Sequence, residues 1–160
     1  MPVEAICEVR QYLTFKLGED VFALDVEKVR EVLDYTTITR IPRTPEFMRG
    51  VINLRGSVVP VVDLRLAFGM PATEKTVNTC IVVTEVSMDG ESVVLGALTD
   101  TVEEVIDLEP DQIQPGPRLG TTVNTDFVRG MGRRENGFIV ILDIDRVFSG
   151  DQMEAIRAGK

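Results

Sequence analysis

Few residues of this chain belong to the types that most enzymes use. None of its 160 residues is a histidine, which excludes the commonest general base, the Ser-His-Asp and Cys-His arrangements and every His-containing zinc site. Its two cysteines, Cys7 and Cys80, lie in no CxxC pattern and indicate reduced thiols of a cytosolic protein. The composition therefore favours a protein that binds over one that catalyses.

Paired carboxylates are the remaining basis for catalysis. Asp25 with Glu27, and Asp143 with Asp145, have a spacing that acid–base work such as glycoside hydrolysis can use. In a chain with 26 acidic residues, however, such pairs arise by chance and are interpreted as solvated surface. The acidic run 107–111 lacks the Asp-x-Asp-x-Asp-Gly spacing and the final Glu of a calcium loop. We therefore expect neither a metal nor a cofactor.

The net charge restricts the partners. The chain has 17 Lys and Arg against 26 Asp and Glu, a net charge of −9. Phosphate neutralisation needs clustered positive charge, so the balance argues against nucleic acid and against direct binding to an anionic membrane. The N-terminus carries Glu4 and Glu8 without the apolar segment of a signal peptide. The apolar run 138–142 is far shorter than the roughly 18 residues of a membrane span. We expect a soluble, cytoplasmic protein.

The NLRG motif (residues 53–56) has the most specific chemistry in the chain. Its last two residues belong to a predicted hairpin turn, and hairpin formation does not require Asn-Leu-Arg before the glycine. The planar guanidinium of Arg55 is suited to a carboxylate or to helix C-terminal carbonyls of a partner. Alternatively, Arg55 is a core arginine paired with Glu31 or Asp63. The residues alone leave both interpretations open.

Short strands separated by turns must position this motif. Apolar patterning predicts strands over residues 12–17, 21–24, 51–54, 58–62, 80–86, 92–98 and 138–142. The runs Arg55-Gly56-Ser57 and Met88-Asp89-Gly90 predict hairpin turns. Residues 25–33 fit a helical turn as well as a strand, and residues 149–158 predict a helix. The chain is therefore expected to be mainly β.

An internal repeat organises these strands. A shift of 80 residues superimposes identical residues of the two halves: Phe47 on Phe127, Gly50 on Gly130, and Asp63 on Asp143. A shift of 73 aligns residues 29–34 with 102–107. Units of about 60–70 residues rarely build a sufficient core alone, and small barrels avoid open edges by closing. We expect two small barrels with a shared core, in which the repeated residues determine the fold: an aromatic plug, a closely packed glycine and a carboxylate that caps a helical turn.

Residues 50–65 have the sequence Gly-Val-Ile-Asn-Leu-Arg-Gly-Ser-Val-Val-Pro-Val-Val-Asp-Leu-Arg. This segment closely resembles the CheW family, the adaptor proteins of bacterial and archaeal chemosensory arrays. The resemblance extends over about residues 10–150. It implies one CheW-like domain (1–160), mainly β, made of two SH3-like five-stranded β-barrels packed together, with short helical turns. The approximate subdomains would be 10–75 and 76–150, followed by a C-terminal helix over 150–160.

The resemblance further implies a non-catalytic adaptor without a cofactor. Such proteins join the cytoplasmic tips of methyl-accepting chemoreceptors to the regulatory domain of the histidine kinase CheA. They are monomers in isolation and form rings in arrays, usually at the inner membrane. Carried over by position, the receptor-facing groove would contain Val29, Gly50, Asn53, Leu54, Arg55 and Gly56. The kinase contact would lie at Cys80, Ile81 and Leu119.

Two alternatives accompany this resemblance. Val29 fits simple core packing as well as a groove wall. CheW-like domains also serve pilus-motility and other chemosensory pathways, and they occur within CheA and CheV-type proteins. The chain ends at Lys160 without a receiver or kinase domain, which favours a stand-alone adaptor.

Overall fold

Most of the chain forms short strands. The computed structural model describes residues 10–68, 70–88, 90–114, 128–134 and 137–147. The strands are β1 (Arg10–Leu17), β2 (Asp20–Asp25), β3 (Val29–Asp34), β4 (Met48–Leu54), β5 (Ser57–Asp63), β6 (Cys80–Met88), β7 (Glu91–Thr99), β8 (Thr101–Leu108), β9 (Ile113–Gln114), β10 (Val128–Arg134) and β11 (Gly137–Leu142). The helical elements are α1 (Leu64–Ala67), α2 (Ile144–Val147) and 3-10 turns over Val26–Lys28 and Pro110–Gln112. The expected mainly β fold is confirmed.

The strands form two sheets of corresponding topology. One has the order β8-β1-β2-β11-β10-β9 and the other the order β3-β6-β7-β5-β4. Each contains one parallel pairing, β11 with β2 and β5 with β7, while the other pairings are antiparallel. Each sheet draws strands from both halves of the chain, because β1 and β2 join β8–β11 while β6 and β7 join β3–β5. The sheets therefore exchange strands across the subdomain boundary expected near residue 75.

The internal repeat appears as repeated geometry. The pairing register of β4 with β5 shifts between Met48 and Gly50, and that of β10 with β11 shifts between Val128 and Gly130. Each shift places a β-bulge beside the repeated glycine. The correspondence that the sequence predicts for the two halves therefore extends to an irregularity within the strands.

Local sequence accounts for the turns between these strands. The 25–33 segment, for which the sequence allows two structures, contains both: a 3-10 turn followed by β3. The Asp25 side chain accepts a hydrogen bond from Glu27 N at 2.9 Å and begins that turn. Asp63 begins α1 in the same way, accepting from Arg65 N at 3.0 Å. The predicted C-terminal helix lies outside the described residues, as does Phe127.

A shared core joins the two sheets. Its buried members include Phe15 and Leu24 from the six-stranded sheet and Val62, Val82 and Leu95 from the five-stranded sheet. A smaller cluster of buried residues belongs to each sheet by itself. This arrangement agrees with the expectation that small β units need a common core. It also fixes the face that each sheet turns to solvent, and thereby the exposure of the NLRG motif.

Candidate functional site

The NLRG motif forms the tight turn between β4 and β5. Leu54 pairs directly with Ser57, so the loop consists of Arg55 and Gly56 alone. Their φ angles are 52° and 87°, the left-handed pair that a type I′ hairpin turn requires. Gly56 adopts this region readily, whereas Arg55 is an unusual residue there. Asn53 Oδ1 accepts a hydrogen bond from Gly56 N at 2.8 Å and closes the turn. The geometry of the turn therefore explains the presence of Asn53 and Gly56, but it does not explain that of Arg55.

Arg55 is exposed and carries a bidentate ion pair. Its Nη1 and Nη2 donate to Glu31 Oε2 and Oε1 at 2.7 and 2.8 Å. The Arg55 side chain is 71% exposed and that of Glu31 is 27% exposed. Hydrogen bonds from Arg55 lower the pKa of the Glu31 carboxyl below its ordinary value, so the pair stays charged at neutral pH. The pairing with Glu31 considered from sequence is present, but at the surface and not in the core.

A cleft of about 540 Å³ lies beside this pair. Partly exposed apolar side chains contribute to its lining, namely Leu54, Val58, Val93 and Val94. Charged groups stand among them, including Arg55, Glu31, Arg30 and Glu91. Val58 is 73% exposed, which is unusual for a valine in a strand next to a core. Apolar walls with a few placed charges are the features of a site for another protein segment.

Sequence reasoning missed Val58, although a signal was present. Val58 is the second residue of β5, next to the turn, and the buried part of the strand begins at Val59. The 80-residue shift places it on Phe138, which is 50% exposed. An apolar residue at an outward position in both halves was therefore detectable from the repeat.

Gly50 is explained by packing. Its φ is +145°, and a Cβ at this position would overlap the backbone O and C of Thr39 and lie 2.9 Å from Ile38 Cγ2. Thr39 and Val51 exchange two hydrogen bonds of 2.9 Å there. Only glycine allows this approach of the two chain segments. A direct contact of Gly50 with a receptor stays a prediction.

Val29 lies apart from the hairpin cleft. It is the first residue of β3, pairs with Thr84 and packs, half-buried, against the shared core. Neither Val29 nor Gly50 belongs to the described lining of the cleft beside Arg55. The structure thus brings Asn53, Leu54, Arg55 and Gly56 together and leaves Val29 and Gly50 outside that group.

The candidate kinase-contact residues differ in accessibility. Cys80 opens β6 and is half-buried; burial raises the pKa of its thiol. Ile81 is fully buried in the core of the five-stranded sheet, so its side chain affects a surface only through its neighbours. Leu119 lies outside the described residues.

At least one carboxylate of each pair considered for catalysis has structural partners. Asp25 accepts from Arg10 Nη1 at 2.7 Å. Asp145 accepts from Lys28 Nζ at 3.0 Å and from Ser87 N at 2.8 Å, which ties α2 to β6. In the part of the chain that the structure describes, no group of three or more Cys, Asp or Glu is placed to hold a metal ion. No helix within the described ranges is long and apolar enough to cross a membrane.

Two sheets of matching topology around a shared core, with a charged hairpin beside a cleft, define a duplicated β-sheet module. Residues 11–152 match the family model described as the CheW-like domain. The chain is 34% identical over 147 residues to the chemotaxis protein CheW of Klebsiella aerogenes, covering 92% of this chain and 86% of that protein. It is 35% identical over 146 residues to the chemotaxis protein CheW of Rhizobium meliloti, covering 91% and 92%.

A solved structure supports the same assignment. The scaffolding protein TtCheW from Thermoanaerobacter tengcongensis superimposes with a TM-score of 0.77 at 35% identity, covering 89% of this chain and 94% of that chain. The chain belongs to the CheW family.

Proposed function

We propose that this protein is a non-catalytic chemotaxis adaptor that couples chemoreceptor tips to the regulatory domain of a CheA-type histidine kinase. Support comes from the family, whose relatives named above are chemotaxis proteins and a scaffolding protein. The observation that carries the proposal is the exposed Arg55–Glu31 pair beside a partly apolar cleft, since the fold itself does not need an arginine at that turn. The protein acts in the cytoplasm, is recruited to receptor arrays and requires no cofactor.

The hairpin suits the tip of a chemoreceptor, which is an antiparallel pair of helices. A helix surface of this kind presents apolar residues with carboxylates or terminal carbonyls nearby. Leu54 and Val58 offer the apolar contact, and Val58 is already largely exposed. Two of the five N–H donors of Arg55 point at Glu31, and the others remain for a partner's oxygen. In this proposal Glu31 holds the guanidinium in place before the receptor arrives, which reduces the entropy lost on binding.

The remaining family positions complete the proposed surfaces. Val29 and Gly50 shape the receptor side indirectly, Val29 through the start of β3 and Gly50 through its packing on Thr39. The kinase side includes Cys80 at the start of β6, with Ile81 beneath it and Leu119 as the further predicted contact. The receptor and kinase surfaces are then separate, and one adaptor binds both partners at once.

Isothermal titration with two purified partners tests the proposal. The protein is titrated with a chemoreceptor cytoplasmic fragment, with the kinase regulatory domain, and with each partner after saturation by the other. We expect both to bind, and each to bind with unchanged affinity in the presence of the other. Absence of binding to both partners contradicts the adaptor function, and mutual exclusion contradicts separate surfaces.

A further inference from the structure

A second cleft lies between the connection that joins β3 to β4 and the helical turn α1. Its volume is about 680 Å³, and it shares no lining residue with the cleft beside Arg55. Three arginines line it, Arg40, Arg43 and Arg49, against one carboxylate, Glu46. In a chain of net charge −9, a concave surface with an excess of arginine is a local exception.

Two of these arginines are available to a ligand. Arg49 is committed, because its Nη1 donates to Asp63 Oδ2 at 3.0 Å and to the Thr73 carbonyl at 3.3 Å. Arg40 and Arg43 are exposed. Within the described ranges, no carboxylate lies at ion-pair distance from either guanidinium. Each guanidinium can therefore donate two hydrogen bonds to an incoming carboxylate in bidentate geometry.

The cleft wall is anchored at several points. At its start, Thr39 exchanges two hydrogen bonds with Val51 of β4. Thr44 Oγ1 then donates to the Ile41 carbonyl at 2.9 Å, and Met48 N donates to the Pro45 carbonyl at 3.0 Å. These bonds fix the backbone on both sides of Arg43 and limit the ordering that a ligand must impose.

Arg43 has a backbone conformation that arginine rarely adopts. Its φ is +66°, in the left-handed region where Gly is favoured. A non-glycine residue held in this region has an energetic penalty and often marks a functional position. Pro42 has a fixed φ and Pro45 restricts Thr44, so both chain neighbours of Arg43 have limited backbone freedom.

Part of the cleft lining is apolar, and this part is called the floor. Ile38, Ile41 and Leu66 contribute aliphatic side chains to it. A free anion would leave this floor uncovered, whereas a peptide with an aliphatic side chain between carboxylates would fill it. Nucleic acid is disfavoured, since the overall charge repels a long polyanion. We propose that this cleft binds an acidic segment of a partner protein, with Arg40 and Arg43 each holding a carboxylate and an aliphatic side chain on the floor.

A fluorescein-labelled six-residue peptide of alternating Glu and Leu tests the proposal by fluorescence anisotropy with the full chain. A peptide with Lys in place of Glu is the control ligand. We expect saturable binding of the Glu peptide only, and weaker binding as sodium chloride is raised. Arg40→Ala and Arg43→Gly are each expected to lower the affinity roughly tenfold, the effect of losing one charge-assisted hydrogen-bonded pair. Glycine at position 43 retains the left-handed backbone, which keeps the fold.

A matched variant removes an arginine outside the cleft. Arg133→Ala, on the exposed surface of β10, is expected to leave the peptide affinity unchanged. If Arg43→Gly lowers the melting temperature, the peptide affinity of Arg40→Ala alone tests the proposal. The proposal is wrong if the Lys peptide binds as well as the Glu peptide, or if the affinity is insensitive to both cleft variants. It is also wrong if a single-stranded oligonucleotide displaces the Glu peptide at equal concentration, which indicates a general polyanion surface.

Discussion

Asp63 is expected to anchor the five-stranded sheet through its carboxylate. It ends β5 and is fully buried. Oδ1 accepts from Thr73 Oγ1 at 2.7 Å and from Arg65 N at 3.0 Å. Oδ2 accepts from Thr73 N at 2.9 Å and from Arg49 Nη1 at 3.0 Å. One carboxylate thus joins β4, α1 and the segment that precedes β6.

The substitution Asp63→Ala removes all four hydrogen bonds at once. Removing one partner of a buried ion pair costs about 3–5 kcal/mol, because the remaining charge is left without its counter-charge. The Arg49 side chain is 32% exposed and can be partly rehydrated, which lowers this cost. Thr73 is buried, and its unpaired hydroxyl and N–H raise the cost again. We therefore expect a loss of about 3–5 kcal/mol in the free energy of unfolding and a fall of about 6–20 °C in melting temperature.

Urea unfolding followed by circular dichroism measures this change, with calorimetry for the melting temperature. The matched control is Asp143→Ala, the repeat equivalent in the second half. Within the described ranges its carboxylate pairs with Arg146 Nε at 3.5 Å, and its side chain is 31% exposed. We expect the control to cost less than about 1 kcal/mol. Equal losses for the two variants, or a loss below about 1 kcal/mol for Asp63→Ala, refute the anchoring role.

Three further predictions concern packing and the thiol. Gly50→Ala is expected to cost at least about 2 kcal/mol of unfolding free energy, because of the positive φ and the overlap of a Cβ with backbone. Gly130→Ala is expected to cost less, since a Cβ there meets mainly a side-chain methyl at 2.8 Å. The opposite order in urea unfolding contradicts the packing argument. Phe47→Ala is expected to cost roughly 3–5 kcal/mol, since Phe47 is buried in the shared core, and a neutral result in the same assay contradicts its role in the fold. In a Cys7→Ser background, the rate at which iodoacetamide alkylates Cys80 is expected to rise at a higher pH than the rate for free cysteine. The reason is that burial raises the pKa of the Cys80 thiol and reduces its thiolate fraction. Faster alkylation of Cys80 than of free cysteine at pH 7 contradicts this prediction.

Much of the local structure was predictable because turns depend on local chemistry. β6 and β7 pair as an antiparallel hairpin, as the Asp-Gly dipeptide between them in the sequence predicts. The turn at Arg55 was also predicted, but its loop is one residue shorter, since Ser57 already pairs with Leu54. The repeat predicts that Gly50 and Gly130 have the same structural role, and both lie beside a register shift, although the shift itself was not predicted.

Long-range pairing was not predictable from local patterns. A linear repeat suggests that each half folds on itself, whereas β1 and β2 pair with strands of the second half. Alternation and turn signals do not specify which distant strand becomes a neighbour, because that choice depends on the packing of the whole core. The pairing of Arg55 with Glu31 was predictable from charge. The exposure of Arg55 was not, because it depends on how the strands assemble into sheets. The left-handed conformation of Arg43 gave no sequence signal.

Titration of a chemoreceptor cytoplasmic fragment into Arg55→Glu tests the central claim most directly. The matched control is Arg133→Glu, in the corresponding hairpin strand of the second half. Arg55→Glu places a second carboxylate beside that of Glu31 at the proposed receptor surface. We expect the receptor affinity to become at least roughly tenfold weaker. Because Arg55 is 71% exposed, the melting temperature should change by no more than a few degrees. Kinase-domain binding should also be retained, and Arg133→Glu should bind the receptor as the unaltered protein does. Receptor affinity that is unchanged by Arg55→Glu, or reduced equally by the control, contradicts the assignment of the NLRG motif to receptor binding.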